Sequence, residues 1–590
     1  MTVSQDKYFR DELAFLREQG KQFSDLHPQL ARYLHGNNTD PDVERLLEGF
    51  AFLTGRLREK IDDEFPELTH SMINMLWPNY LRPVPSTSIV RFSPLERGIS
   101  HKQTIEKGCM LDSTPVNGEV CHFTTCREVN VYPLVVNNID SLHSREASIV
   151  DIHFTNLSDL SLNEVGLDDL RFYLGGQDYS AQMLYLWLNH YLDVIEIHVG
   201  DRHYSLPKSS FKCVGFASGD GILPYPQNVY EGYRILQEYL SFPDAFMFFD
   251  ICNIYKCLPS GLTGDFSIKL KFSRTLPADV LIRDESFQLY CVPVLNLFSH
   301  DADPIDLTGK KIEYPILPSS RKPSHFEIFS VDKVEGWVDS DEGRFRGEER
   351  IYTPFESFQH EIERARERVA LYYRLRVKES IREDGFDHFI SFVRGDETQS
   401  FDVSEAVSVS LTCTNRQLPM KLGKGDICIA TDSSPNFATF KNITEPNASL
   451  RPVLDGSMLW TLISNLSLNY LSLLSKDALC SIIRAYDFKS LIDRQAERIT
   501  QKRLDGIVSI ESKPTERILR GMPVRGLMSE IVLDQSYFGS EGDLYLFATV
   551  LSRFFALYAS INSFHQLIVI NAANQERYTW DIQIGQQPLI

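Results

Sequence analysis

The 590-residue sequence lacks the short motifs by which common catalytic and nucleotide-binding sites are recognised. It contains no G-x-x-x-x-G-K-S/T phosphate loop, no H-E-x-x-H zinc-binding helix, no G-x-S-x-G nucleophile elbow and no EF-hand loop. It also has no G-x-G-x-x-G sequence after a predicted strand. No motif therefore indicates an enzyme or a bound cofactor, and we expect neither.

Positive charge is also in short supply, since 60 Lys and Arg residues stand against 80 Asp and Glu residues and leave a net charge of −20. A general nucleic-acid binder needs an excess of cations for phosphate contacts, so the composition argues against nucleic acid as a partner. The first residues show neither the basic nor the apolar part of a secretory signal, and the longest apolar stretches carry polar residues. We expect a cytoplasmic protein without a membrane span.

The ten cysteines form no C-x-x-C pair, which is typical of buried thiols in a reducing compartment. The tightest group is Cys121-His122 with Cys126, but the alternation of apolar and polar residues around it predicts a strand rather than a zinc site. The acidic string HDAD at residues 300–303 is followed by proline and is predicted to be a loop. We therefore expect no metal site at either place.

Residues 1–82 are predicted to be helical, with two runs of apolar residues spaced alternately four and three apart. Thr39 or Asp40 is a suitable N-cap, and Pro41 suits the first helical position, where its missing N–H costs nothing. The 4-3 alternation is typical of helices that pack side by side at a shallow angle. It indicates either a helical hairpin packed on its own domain or a helix pair offered to partner helices. The two runs are Phe9, Leu13, Leu16, Gly20 and Phe23, and then Val43, Leu47, Phe50, Thr54, Leu57 and Ile61.

Beyond residue 85 the pattern changes to short strands separated by Gly and Pro turns, with occasional helices. This order is not an alternating βαβ series, so the predicted fold class is α+β and multidomain, without a large parallel sheet. Strands are predicted at residues 89–92, 104–111, 119–125, 129–136, 149–154, 170–174 and 194–199, and helices at 180–192 and within 225–250. The predicted domains are an N-terminal helical segment (1–85), a β-rich α+β middle domain (86–335), a second α+β middle domain (336–480) and a C-terminal α/β region (481–590).

The C-terminal region carries a local excess of positive charge. Residues 481–526 hold ten Lys and Arg residues against six Asp and Glu residues, a local net charge of +4 in a chain of −20. The pattern predicts a helix around residues 490–504 followed by a basic connector. This segment is either a solvated surface or a docking surface for an acidic partner or a second copy of the chain, and Arg494 and Arg498 are its candidate docking residues.

Residues 543–561 are predicted to form a helix with apolar side chains most of the way round. Such a helix must be buried on several sides, either in the core of its own domain or between subunits. Its candidate partner-binding residues are Phe547, Leu551, Phe554 and Tyr558.

Many short sequence motifs along the chain resemble those of the TssF family (also named VasA or ImpG), and they occur in the same order. Proteins of this family are baseplate components of bacterial type VI secretion systems. They are YFRDEL (8–13), WPNYLRP (77–83), LPYP (223–226), GYR (232–234), FFD (248–250), NLF (296–298), ADPI (302–305), LTCTNR (411–416), LSLNYL (466–471), and FFA (554–556) with NSF (562–564). Residues 98–125 also resemble the turn-rich β segment of phage baseplate wedge proteins.

The resemblance implies a structural part rather than an enzyme. Members of the family assemble as two copies with one TssG into a wedge, and six wedges surround the VgrG spike hub. TssE, TssK and the sheath proteins attach to this platform, which docks through TssK on the inner-membrane complex.

In the related phage wedges, N-terminal helices of two copies and one partner helix form a core bundle, and the C-terminal regions contribute to an inner ring. The resemblance therefore implies that the N-terminal helices of this chain face partner helices. The expected partner-binding stripe is Phe9, Leu13, Leu16, Val43, Leu47, Phe50, Leu57 and Ile61.

The residues themselves leave two other interpretations open. One is an enzyme without a recognisable motif, for instance a hydrolase that uses the acidic string at residues 300–303. The other is a module that binds a small ligand through the aromatic cluster at residues 225–249.

Overall fold

The computed structural model divides the chain into two compact units, one of Met1–Pro78 with Leu454–Thr461 and one of Asn79–Val453 with Leu462–Ile590. It describes residues 9–10, 12–17, 19, 45–55, 70, 72–74, 77–95, 98–225, 233–259, 261–307, 311–338, 348–355, 371–380, 385–394, 405–452, 475–519, 521–559 and 562–585. In the first unit, the described residues up to 74 are all helical, which agrees with the predicted N-terminal helical segment.

The described strands in the first half of the chain are β1 (Thr87–Pro94), β2 (Gln103–Ile105), β3 (Met110–Ser113), β4 (His122–Thr125), β5 (Val129–Val131), β6 (Leu134–His143), β7 (Ser148–Asn156), β8 (Leu170–Tyr173), β9 (Leu192–Val199), β10 (Arg202–Leu206), β11 (Phe211–Val214), β12 (Phe248–Ile251), β13 (Phe266–Phe272), β14 (Gln288–Leu289) and β15 (Cys291–Leu295). Those in the second half are β16 (Phe298–Asp301), β17 (Ile305–Leu307), β18 (Tyr314–Ile316), β19 (Glu327–Val338), β20 (Glu348–Pro354), β21 (Leu371–Glu379), β22 (Phe386–Arg394), β23 (Glu405–Thr414), β24 (Ile427–Ala430), β25 (Ala438–Asn442), β26 (Ile507–Leu519), β27 (Met522–Leu533), β28 (Phe564–Asn571), β29 (Arg577–Thr579) and β30 (Gln583–Ile584).

The described helices of the second unit are α1 (Leu162–Val165), α2 (Asp178–Leu186), α3 (Arg234–Ser241), α4 (Ile254–Cys257), α5 (Lys476–Tyr486), α6 (Phe488–Ile492), α7 (Arg494–Asp505) and α8 (Glu541–Tyr558). Helix α2 continues into a π-helical turn at Trp187–Tyr191. All seven predicted strand segments contain strands, although 104–111 and 129–136 are each divided between two. Helices and several separate sheets in one chain confirm the α+β class.

Six strands form an antiparallel sheet in the order β24-β3-β4-β15-β1-β25. Its first and last strands, β24 and β25, also lie next to each other. At the seam, the N–H of Ile427 donates to Asn442 Oδ1 at 2.9 Å, and the N–H of Gly425 donates to Asn442 O at 3.0 Å. Leu111 and Phe123 are fully buried on the inner face. The bonds at the seam satisfy backbone groups that an open sheet would leave unpaired at its edges.

Two further antiparallel sheets, β10-β9-β13-β7-β6 and β11-β12-β8-β14, pack together through aromatic rings. Phe154 on β7 and Phe172 on β8 join the sheets, with ring centroids 6.2 Å apart. Phe172 stacks on Phe249 at 5.1 Å, and Phe154 stacks on Phe266 at 4.8 Å. Since each ring buries a large apolar area, these contacts form the core of the middle region.

The largest sheet has the order β16-β23-β19-β20-β21-β22-β18, with β17 also paired to β23. Its pairs are antiparallel except β20 and β21, which run parallel. Strand β1 pairs with β25, and β16 pairs with β23, so both pairs join residues from the two predicted middle domains. The fourfold division of the sequence stays a prediction about how the chain is organised.

The C-terminal region is a hairpin followed by a parallel crossover. Strands β26 and β27 pair from Ile507↔Leu533 to Leu519↔Met522, and β27 leads through α8 into β28, which lies parallel to it. This strand–helix–strand unit agrees with the predicted C-terminal α/β region. The prediction of a basic connector after residue 504 was wrong, because these residues form two long strands.

Helix α8 is the apolar helix predicted at residues 543–561. Ser540 caps it, since its side chain accepts a hydrogen bond from the N–H of Asp543 at 2.9 Å. The helix packs against α2, α3 and β28, which together cover its sides. Among its contacts, Phe547 lies 6.2 Å from Tyr239, and Phe554 lies 5.8 Å from Tyr233, measured between ring centroids.

We predict that Gly542→Ala destabilises the protein by about 2–3 kcal/mol, in the range of overpacked core positions. Gly542 lies at the start of α8, and a Cβ there would overlap the carbonyl group of Gln182 in α2 and lie 2.7 Å from the N of Met183. Backbone atoms cannot move aside as a side chain does. The measurement is the urea midpoint of the purified chain, followed by circular dichroism.

Gly219→Ala is the matched control, because a Cβ at Gly219 meets nothing within 4 Å. Its midpoint is expected to stay within the error of the wild type. Equal midpoints for both variants would contradict the close packing of α8 on α2.

Candidate interaction surfaces

The predicted N-terminal stripe lies partly within the described residues. Phe9, Leu13 and Leu16 lie on helical residues near the N-terminus, and their side chains are half-buried. In the second helix, residues 45–55, Leu47 is half-buried, whereas Phe50 is 57 % exposed. The other three members, Val43, Leu57 and Ile61, lie outside the described residues.

The helix at residues 45–55 carries a second apolar stripe that the sequence analysis missed. Leu46 is 73 % exposed and Leu53 is 61 % exposed, and together with Phe50 they follow the same four-and-three spacing. Ala51, on another face of the helix, is fully buried. Large apolar side chains that share one exposed helix face are typical of a surface that packs against another protein. The exposed stripe of this helix is Leu46, Phe50 and Leu53.

Helix α7 places Arg494 and Arg498 on an exposed surface, as the prediction of a docking surface requires. Asp493 caps the helix by accepting a hydrogen bond from the N–H of Gln495 at 2.9 Å. Not all of the basic residues point outward, since Arg503 forms an ion pair with Asp543 at 3.0 Å. The outer face of α7 exposes Arg494, Arg498 and Lys502 together with Glu497 and Asp505, beside the exposed apolar side chains of Leu491, Ile492 and Ile499.

The hairpin of β26 and β27 extends beyond the rest of its sheet. Strand β28 pairs with β27 only from Gly526 onward, so residues 516–519 and 522–525 form a two-stranded arm within the described part of the chain. Ile518 is 78 % exposed near the tip, and Arg525 forms an exposed ion pair with Glu516 at 2.7 Å. Pro514 lies on β26, the edge strand of this sheet, at the base of the arm and opposite Leu527.

The apolar residues of α8 lie in the core of their own unit. Phe547, Leu551 and Phe554 are each at most 2 % exposed, so they offer no accessible side chain to a partner. Of the two environments predicted for this helix, the structure shows the core of the same chain. The side chain of Tyr558 lies outside the described residues.

The acidic string at residues 300–303 does not form the predicted loop. Residues 298–301 form strand β16, because they pair with β23. His300 Nε2 lies 3.0 Å from the carbonyl oxygen of Ser319, and the His300 ring stacks on Phe326 at 4.9 Å. These contacts indicate that the His300 side chain takes part in the packing of the protein.

The cysteine group at residues 121–126 and the aromatic cluster at residues 225–249 also contribute side chains to the packed interior. Cys121 and Cys126 are buried, and His122 on β4 lies 2.6 Å from Asp112, measured from Nδ1 to Oδ1. Phe249, in the aromatic stretch, is part of the core between two sheets. Among the described residues, no three His, Cys, Asp or Glu side chains are grouped closely enough to hold a metal ion. None of the helices described here is both long and apolar enough to cross a membrane.

Comparison with known proteins identifies relatives over nearly the whole chain. The family model described as "Type VI secretion system, TssF" matches residues 1–587. The type VI secretion system component TssF1 of Pseudomonas aeruginosa is 27 % identical over 629 aligned positions, which cover 99 % of both chains.

Two solved structures resemble the chain in fold. A chain of the TssK-TssF-TssG baseplate subcomplex of the type VI secretion system superimposes with a TM-score of 0.73 and 30 % identity, covering 92 % of this chain and 99 % of that one. A chain of the type VI secretion baseplate complex gives a TM-score of 0.63 and 27 % identity, covering 99 % and 100 %. With a family match from residue 1 to residue 587, this chain belongs to the TssF family of the type VI secretion system.

Proposed function

We propose that this chain is a structural component of the type VI secretion baseplate wedge, in which two copies assemble with one TssG around the spike hub. In that position it supports assembly of the sheath and tube and the delivery of effectors by contraction. The proposal is carried by the family match over residues 1–587 and supported by the likeness to a chain of the TssK-TssF-TssG subcomplex. The role is scaffolding, without catalysis.

The partners in this proposal are TssG, a second copy of the chain, TssE, TssK, the VgrG spike hub and the sheath proteins. TssK and TssG are named with TssF in the related subcomplex. The complex lies in the cytoplasm and meets the inner membrane through the membrane complex of the secretion system. The net charge of −20 gives no support for nucleic acid as a partner.

The exposed stripe Leu46, Phe50 and Leu53 is the contact through which we propose that the N-terminal helix joins partner helices. Three large apolar side chains that remain more than half exposed are costly to leave in water, by roughly 1.5–3 kcal/mol for each side chain that a partner could bury fully. The spacing continues to Leu57, a member of the predicted stripe. We propose that the half-buried Phe9, Leu13, Leu16 and Leu47 support this contact from the adjoining faces.

Co-expression with the TssG protein of the same organism tests the proposed function. We expect native mass spectrometry of the purified complex to show two copies of this chain and one copy of TssG. A chain that remains alone in the presence of TssG would contradict the proposed function, and a stable one-to-one complex would contradict the stoichiometry.

We predict that Leu53→Asp abolishes TssG binding, because a charge buried between apolar helices without a partner costs several kcal/mol. The measurement is co-purification with TssG, together with circular dichroism of the variant alone. Binding at the wild-type level would remove the exposed stripe from the interface, and an unfolded variant would show that Leu53 belongs to the core.

Glu48→Lys is the matched control for Leu53→Asp. Glu48 lies on the same helix, is exposed, and projects from the side opposite the exposed stripe. Its charge change leaves the stripe apolar, so we expect TssG binding to be retained.

We predict that Arg494→Glu combined with Arg498→Glu weakens assembly of the complex, and that added salt reduces the difference from the wild type. Both side chains are exposed on α7, so their effect on a partner is electrostatic and screened over about 10 Å at 0.1 M salt. The measurement is the dissociation constant at 50 and 500 mM salt.

Reversal of the exposed Arg202 and Lys441, which lie elsewhere on the second unit, provides the control for total charge. An equal loss of affinity in this control would show that net charge, and not the outer face of α7, is responsible. Unchanged affinity of the α7 variant at low salt would disprove the docking role of that face.

A further inference from the structure

A groove of about 1230 Å³ lies in the second unit, between β11 with its following turn, helix α8, and the C-terminal strands β29 and β30. None of its lining residues belongs to the exposed stripe or to α7, and none of the functions discussed so far uses it. All of its lining residues are described.

The floor of the groove is aromatic and firmly held. The rings of Tyr545 on α8 and Trp580 after β29 stack with centroids 5.1 Å apart. Trp580 Nε1 donates a hydrogen bond to Thr549 Oγ1 at 3.2 Å, which joins the C-terminal segment to α8. Tyr545, Thr549 and Trp580 are each less than 10 % exposed, so the floor is a pre-formed surface of the core.

The two walls are strands at the edges of different sheets. Within the described residues, β11 hydrogen-bonds only to β12, and β29 and β30 both pair with β28 alone. Edge strands carry backbone N–H and C=O groups without a partner strand, and an extended peptide can pair with them. The groove therefore offers backbone hydrogen bonds beside an apolar floor.

The rim of the groove is positively charged in a chain of net charge −20. Lys208, Lys212 and Arg553 are exposed there, and in the described part of the chain none forms an ion pair with a carboxylate. The guanidinium of Arg553 lies over the ring of Phe216, 5.5 Å from its centroid, and this contact holds it at the edge of the groove. Asp581 is the one carboxylate among the lining residues.

The charge of the rim, the aromatic floor and the edge strands together indicate which kind of ligand the groove can bind. Unpaired cations at the rim favour negative charge, and the aromatic floor favours apolar side chains. Nucleic acid also carries negative charge, but the strongly acidic chain as a whole repels it. In an extended peptide, alternate side chains point to opposite sides, so acidic residues can reach the rim while apolar residues reach the floor.

We propose that this groove binds an extended, acidic segment of a partner subunit other than a second copy of this chain, with apolar side chains on Tyr545 and Trp580 and carboxylates at Lys208, Lys212 and Arg553. The segment adds a strand to the edge of β11 or of β30. This inference rests on the proposed function, since it requires that the chain assembles with partner proteins.

The test is photo-crosslinking in the complex of the full chain with TssG and TssK. The photoreactive residue p-benzoylphenylalanine replaces Ala217 at one wall or, in a second variant, Gln583 at the other, and mass spectrometry identifies the crosslinked peptide. We expect both positions to crosslink one partner segment with net negative charge and interspersed apolar residues. The same residue at the exposed Thr439, on β25, is the positional control and is expected not to capture that segment.

Charge reversal in the same complex separates specific binding from proximity. We expect Lys208→Glu, Lys212→Glu and Arg553→Glu together to reduce the crosslink at least tenfold at low salt, whereas Lys208→Arg with Lys212→Arg retains it. A crosslink to a basic segment, to a second copy of this chain or to nucleic acid would overturn the proposal, as would an intact complex without a crosslink. Failure of the complex to form would instead contradict the proposed function.

Discussion

The burial of almost every described side chain of α8 is the constraint on which the rest of the second unit depends. Its first residue, Glu541, is a buried carboxylate that accepts hydrogen bonds from Tyr578 at 2.7 Å and from Asn574 at 2.6 Å. A buried carboxylate is tolerated only when its oxygens are satisfied in this way, so these bonds fix the segment after β28 to the start of the helix. Helices α2 and α3 pack against α8, whose Tyr545 and Thr549 contribute to the floor of the groove and whose Arg553 lies at its rim. The core of the chain and its candidate binding surface are therefore parts of one packing arrangement.

A second buried charge fixes the wall of that groove. Glu238 on α3 forms an ion pair with Arg234 at 3.1 Å, and its Oε1 accepts hydrogen bonds from the N–H groups of Ile222 and Leu223. Burial raises the pKa of Glu238, so these donors and the guanidinium offset the cost of keeping it ionised. Arg234 also donates to the carbonyl oxygen of Ala217, which ties the turn after β11 to the same pair. The wall thus has a defined position before any partner binds.

The sequence predicted the fold class, the region of strands β1 to β9 and the apolar helix, because their residues alternate or repeat with the period of a buried element. It did not predict the hairpin after residue 504, since the charges of Glu511, Lys513 and Glu516 interrupt the alternation of β26, whose distal part is solvated on both faces. The exposed stripe Leu46, Phe50 and Leu53 was not predicted, for a different reason. Two series with the same spacing overlap on that helix, both contain Phe50, and spacing alone does not show which face is exposed. The groove was not predicted, because its residues come from distant parts of the chain that only the fold brings together.

The position of Pro514 on the edge strand β26, at the base of the arm, affects how this edge meets other chains. A proline has no backbone N–H, so a strand that approaches this edge loses a ladder bond there, and it also meets the charged side chain of Lys513. A long, flat hairpin without such an interruption is a template on which further chains add to form fibrils. Pro514 and the neighbouring charges therefore oppose the addition of a further strand along this edge of β26.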